Sequence, residues 1–197
     1  MAPTDVYGST PGRVLTAATA VAAVALVAAL APDVGPRDLV LAASLAALAV
    51  LGVWATLGRP CVEVSDGTVV LRNVTRTVTL PWPTVVGVEV GWSLVVRSTH
   101  GRWTAWAAPR GSTAVRGPRR GVRDDERSGA GRRRPATAQV VAAEIDERLA
   151  SLRAAGHLDD AQRLAAAHGI TPGVRWHTGT LASAAALVAV AVATRVI

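Results

Sequence analysis

Residues 39–57 read LVLAASLAALAVLGVWATL, nineteen positions without a charge and with only Ser44, Gly52 and Thr56 as small or polar interruptions. As a helix rising about 1.5 Å per residue this stretch covers roughly 28 Å, close to the hydrocarbon thickness of a bilayer. Upstream, residues 14–31 read VLTAATAVAAVALVAALA, eighteen positions that are again uncharged. Between the two runs lies Pro32-Asp33-Val34-Gly35-Pro36-Arg37-Asp38, whose prolines, glycine and charges stop one helix and start the next. Residues 14–57 are therefore expected to form a transmembrane hairpin, with spans at 14–31 and 39–57. A third uncharged run, Thr178 to Thr194, ends at Arg195, which can snorkel toward the head groups, and places a third span in 178–197.

The remaining composition is that of a soluble insert. The chain has 197 residues with 21 basic and 14 acidic side chains, and every basic one is arginine. Residues 58–177 hold 18 of those arginines and 11 of the acids, a formal +7 confined to the middle of the chain. Arg59, Arg72 and Arg76 follow the second run closely, whereas the short loop carries Arg37 against Asp33 and Asp38. That asymmetry predicts a multi-pass protein of the cell membrane with its insert in the cytoplasm. Ala29-Leu30-Ala31 has the form of a signal-peptide cleavage site, but the long leader, the long apolar core and Pro32 argue against cleavage. A single cysteine, Cys61, fits a reducing compartment.

From Cys61 to Ala108 valine, threonine and tryptophan alternate at two-residue spacing, with turn residues every eight to ten positions. This pattern predicts antiparallel strands at 61–65, 68–73, 75–80, 85–90, 92–98 and 101–107, curled into a small barrel. Ser65-Asp66-Gly67 suits a tight hairpin, Pro81-Trp82-Pro83 forbids regular pairing, and His100-Gly101 closes the last hairpin. The candidate core residues are Val69, Val70, Leu71, Leu80, Val85, Val86, Val88, Leu94, Val95 and Val96, alternation deciding which of each adjacent pair points inward, with Trp92, Trp103 and Trp106 suited to barrel packing. Arg72, Arg76, Arg97 and Arg102 are expected on the solvated face.

The runs Val62-Glu63-Val64-Ser65-Asp66-Gly67, Leu71-Arg72-Asn73, Thr75-Arg76-Thr77-Val78-Thr79-Leu80-Pro81-Trp82, Val85-Val86-Gly87-Val88 and Gly101-Arg102 resemble the bacterial PH-like domain family named for low molecular weight protein antigen 6. The preceding two-span hairpin is similar too, and members of that family are mostly actinobacterial membrane proteins. The resemblance covers residues 14 to about 108. It implies a partly open PH-like barrel at 60–108, closed by a C-terminal helix, with no enzymatic activity. Residues 109–197 depart from the short family pattern. The fold class expected is thus membrane α plus a small all-β module: three transmembrane helices, a cytoplasmic PH-like antiparallel β domain and C-terminal amphipathic helices.

Residues 109–136 are expected to be a disordered arginine-rich linker, since nine arginines and Asp124-Asp125-Glu126 sit among glycine, proline, serine and alanine with almost nothing to bury. Arg119, Arg120, Arg132, Arg133 and Arg134 are the candidate contacts for anionic lipid head groups, at about 1 kcal/mol per basic residue near the surface. The plain alternative is a solvated linker that reinforces topology. Nucleic acid is not expected, because no stacking aromatic is interleaved with the arginines. Beyond it, 137–170 is a helical segment: Val141, Ile145, Leu149 and Leu152 fall at helical spacing, Gly156 ends that helix, and a shorter one follows to Gly169.

No catalytic residue, metal site or cofactor is expected. His100, His157, His168 and His177 are scattered, none has metal-ligand spacing with Cys61, and no phosphate-binding glycine loop is present. The predicted function is a non-enzymatic binding or scaffold module at the cytoplasmic face, with the lipid bilayer and a membrane or cytoplasmic protein as partners. The alternative is an accessory subunit that joins another membrane complex through its spans.

Overall fold

A computed structural model describes residues 4–109, 133–135 and 137–196. The chain divides into two compact units: one holds Met1–Gly8, Cys61–Leu71 and Val78–Gly173, the other Ser9–Pro60, Arg72–Thr77 and Val174–Ile197.

The second unit is built on three helices long and apolar enough to cross a membrane: α1 (Thr10–Leu30), α2 (Pro36–Val53) and α5 (Thr178–Val196). Each reaches beyond its apolar run. Ser9 caps α1, its hydroxyl accepting the Gly12 N–H at 3.0 Å, so the helix starts four residues before Val14. Pro36 opens α2, where its missing N–H costs nothing, and a π-helical turn at Trp54–Gly58 extends it. The hydroxyls inside these helices return to their own backbone: Thr16 donates to Gly12 O, Thr19 to Leu15 O and Ser44 to Val40 O, at 2.7–2.8 Å. A polar group in lipid has no water to turn to, so this local bond is what makes it tolerable there. α2 packs on both α1 and α5.

The first unit is a β module with its own core. Its strands are β1 (Asp5–Gly8), β2 (Cys61–Val64), β3 (Thr68–Arg72), β4 (Arg76–Pro81), β5 (Val85–Val90), β6 (Ser93–Ser98), β7 (Gly101–Pro109) and β8 (Arg133–Pro135), and its helices α3 (Ala138–Ala154) and α4 (His157–Ala167); Arg72 of β3, Arg76 and Thr77 of β4, and β9 (Gly173–Trp176) from Val174 on fall in the second unit. One sheet has the order β8-β1-β2-β3-β4-β9 and the other β5-β6-β7. Val62, Val64, Val69, Leu71, Val78 and Leu80 take the inward positions of β2, β3 and β4, as two-residue alternation requires. Leu94, Val96 and Ala105 do so in the second sheet.

α3 presents Ala138, Val141, Ala142, Ile145 and Leu149 to that core, and Leu158 of α4 joins it. The apolar stripe of the helical segment is therefore covered inside this unit. Gly156, at φ 70°, makes the turn between the helices, a conformation that side-chain-bearing residues rarely adopt.

Two features differ from expectation. A strand, β1, precedes the first span; it pairs antiparallel with β2 from Asp5↔Val64 to Gly8↔Cys61, and its Tyr7 is fully buried. The proposed linker is bounded more tightly, because β7 runs through Pro109 and Arg133–Pro135 forms β8, parallel to β1; residues 110–132 and 136 lie outside the described residues. Within the adjacent pairs of candidate core residues, alternation takes Val69, Leu71, Val85, Leu94 and Val96 inward and leaves Val70 and Val95 half-buried and Val86 43% exposed.

Trp82 shows how the Pro-Trp-Pro corner works. Pro81 to Thr84 makes a 3-10 turn that carries the chain from one sheet to the other, with Trp82 buried and its indole N–H donating to Ser65 O at 2.9 Å. Trp82→Phe keeps the ring packing and leaves the Ser65 carbonyl without that donor. It is expected to lower stability by about 1 kcal/mol, seen as a lower unfolding midpoint of the full chain, whereas an unchanged midpoint would mean the bond contributes nothing.

Candidate functional site

The expected lipid contacts divide between what is described and what is not. Arg119, Arg120 and Arg132 lie outside the described residues. Arg133 and Arg134 belong to β8, where their backbone pairs with Val6 and Tyr7 of β1. That places both at the outermost strand of the larger sheet.

The outward face of β5-β6-β7 carries a graded surface. The Glu89 carboxylate lies between two guanidiniums, Arg97 Nη1 at 3.3 Å and Arg102, the second pair closer still. All three side chains are substantially solvent-exposed, so the pairs contribute little to stability, but they fix a net positive cluster at one end of the face. At the other end stand Trp106, 59% exposed, and Trp92, 92% exposed in the β5–β6 turn. Neither packs in the barrel as expected. Only Trp103, opposite inward-facing Val96, lies against the core, with its indole N–H donating to Ser98 Oγ at 3.0 Å. Alternation explains the split: Trp103 and Ala105 share the inner face, and Trp106 is one residue out of phase.

A cleft of ≈ 600 Å³ lies between α4 and the β4–β5 and β6–β7 connections. Arg153, His100 and Gln162 reach it over a floor that includes Pro83, Ala165 and Ile170. Arg153 donates to Val86 O at 3.0 Å, which spends part of its donor capacity on the β module itself. The volume suits a small molecule, and Arg153 gives the wall a positive charge with no carboxylate among the lining residues.

In the helical unit two tryptophans stand at span ends beneath arginines. The Arg59 guanidinium lies 5.1 Å from the Trp54 ring and that of Arg76 lies 5.6 Å from the Trp176 ring. Arg59 also donates to Thr180 Oγ1 at 2.8 Å, tying the end of α2 to the start of α5. Stacked Trp–Arg pairs suit the head-group layer, where an amphipathic ring and a cation are both at home. His177 holds the same region: its backbone N–H donates to Thr75 O at 2.8 Å, Nδ1 donates to Val74 O at 3.1 Å, and Nε2 faces the Thr77 hydroxyl at 2.8 Å. The sequence signal available for these anchors was a tryptophan within a turn of each span end, with arginine close by. An open groove of ≈ 860 Å³ runs along the helices, lined largely by Ala20, Ala23, Ala43, Ala46, Val50 and Trp54.

Among the described residues, no three His, Cys, Asp or Glu side chains are placed to hold a metal ion. His100 bonds the neighbouring Thr99 hydroxyl and His168 the Leu164 carbonyl, each near its own position in the chain. No protein-family model, curated protein or solved structure matches the chain.

Proposed function

We propose that this is a multi-pass protein of the cell membrane whose PH-like β module works at the cytoplasmic face as a non-enzymatic binding or scaffold element. The observation that carries the reading is the direct join of span to strand. Gly8 of β1 pairs with Cys61 of β2, and within two or three residues the same chain segments become α1 and leave the end of α2. A strand pair of that kind needs both ends of the hairpin on one side of the membrane, as two crossings provide. Six strands in one sheet, β1 to β4 at its centre, three in the other and α3 in the shared core fit a partly open PH-like barrel with a helix closing it. The arginine asymmetry favours the cytoplasm for that side.

In this reading the segment bearing Arg119, Arg120, Arg132, Arg133 and Arg134 meets anionic head groups. Full-length protein in nanodiscs tests it by trypsin cleavage after Arg119 and Arg120. Anionic lipid is expected to slow cleavage several-fold in about 0.05 M salt and to lose that effect in about 0.5 M, as the Debye length falls from roughly 14 to roughly 4 Å. Replacing Arg132, Arg133 and Arg134 by glutamine should weaken the protection. Equal cleavage rates in neutral and anionic discs at low salt would refute the lipid contact.

The alanine-lined groove supports the second reading, an accessory subunit. Small side chains let another helix approach closely, so a span of a partner complex fits the groove.

A further inference from the structure

We propose that the Trp92–Trp106 end of the β5-β6-β7 sheet docks on the bilayer surface itself, so that the module lies on the membrane by a second, non-covalent attachment. The inference rests on the membrane placement proposed above but not on the arginine segment.

Trp92 sits in the two-residue turn between Val90 and Ser93 and is 92% exposed. Trp106, 59% exposed, falls at an irregularity in pairing next to that turn: Leu94 faces Ala105, yet Ser93 faces Pro109, so residues 106–108 bulge out of the β6–β7 ladder. Bulges re-aim side chains, and this one stands next to the β5–β6 turn. Val90, which shares the inward face with its partner Leu94, is 39% exposed at the same end of the sheet. Behind it lies the net positive cluster of Arg97, Arg102 and Glu89. Tryptophan at the front with arginine one step behind matches the depth profile of an interface, in which rings occupy the boundary of head groups and acyl chains and cations meet phosphate.

The tip lies away from the turn at Ser65–Gly67. Trp82 bonds both Ser65 O and Gly67 O, and Thr99 N–H donates to Thr84 O at 2.9 Å, so the start of β5 and the β6–β7 turn gather near that turn. β5 then runs about 20 Å from there to Val90. Since β1 passes into α1, and the end of α2 into β2, within a few residues, connectivity holds the module near the bilayer at a high effective concentration.

The test is a fluorescent label at residue 91, in full-length protein carrying Cys61→Ser and Gly91→Cys, reconstituted in nanodiscs of neutral lipid. A side chain at Gly91 meets nothing within 4 Å, so the label leaves the turn intact. A label at Arg163→Cys on exposed α4 is the aqueous control. The expected result is that the label at 91 is quenched by nitroxide carried on the lipid and is several-fold less accessible to iodide than the label at 163. Adding Trp92→Asp should restore iodide access. The proposal is overturned if label 91 is as open to iodide as label 163, or if its shielding survives Trp92→Asp. Because neutral lipid contains no partner for the arginine segment, this result and the trypsin result stand or fall separately.

Discussion

Tyr7→Ala is expected to destabilise the β module by about 3–5 kcal/mol, the range for emptying a buried aromatic site, although residue 7 lies in a segment that precedes the first span. The ring is fully buried, in a strand flanked by β2 on one side and β8 on the other. Its hydroxyl donates to Glu144 Oε2 on α3 at 3.3 Å, so one side chain links the N-terminal strand, the sheet and the helix. Alanine leaves a cavity between elements that are far apart in sequence and removes a donor from a carboxylate. Tyr7→Phe separates the two losses and should cost about 0.5–1.5 kcal/mol. Amide exchange at Val62 and Val64 of the full chain reads the effect, since β2 loses its ordered neighbour. Exchange as slow in Tyr7→Ala as in the parent chain would show that β1 contributes nothing to the module.

Much of the architecture was legible because its signals are long or strictly periodic. The spans announced themselves as charge-free runs, and six strands of the module fell within a residue or two of their expected limits, because valine alternation and the turns at Ser65–Gly67 and His100–Gly101 leave one consistent register. What stayed hidden were the short pieces. Asp5–Gly8 offers only Val6 and Tyr7 as apolar residues, too few for a period, and becomes a strand because β2 and β8 supply partners. Gly173–Trp176 is exposed throughout and carries no inward face to read. The surface was harder than the core. Trp92 and Trp106 look like packing residues by type, but the turn at Gly91 and the strand phase set by inward Trp103 and Ala105 turn them outward. The Arg76–Trp176 pair and the cleft join residues distant in sequence, and one chain's periodicity holds no record of such pairings.

Gly12→Ala should destabilise the helical unit, and Gly12→Leu more so, against the sign that helix propensity alone predicts. Gly12 lies within α1, where alanine would ordinarily gain about 1 kcal/mol over glycine. Here a Cβ would fall on the carbonyl carbon and oxygen of Leu57, atoms of the backbone at the end of α2 that no rotamer change can move. Gly58 answers it from the other side, but a Cβ there would meet the Thr16 hydroxyl at 2.7 Å, a side chain free to swing away. The Thr16 hydroxyl at present donates to Gly12 O, so the two glycines and this threonine form one close crossing of α1 on the turn after α2. Overpacking of this kind costs about 1–3 kcal/mol, enough to outweigh the propensity gain, and leucine should reach the upper end of the range or beyond. Unfolding of the full chain in mixed micelles of increasing denaturing detergent gives the order: Gly12→Leu least stable, then Gly12→Ala, then Gly58→Ala. A Gly12→Ala protein more stable than its parent would mean that the crossing is looser than this geometry, and that the hairpin is held by its apolar faces rather than by the approach of its backbones.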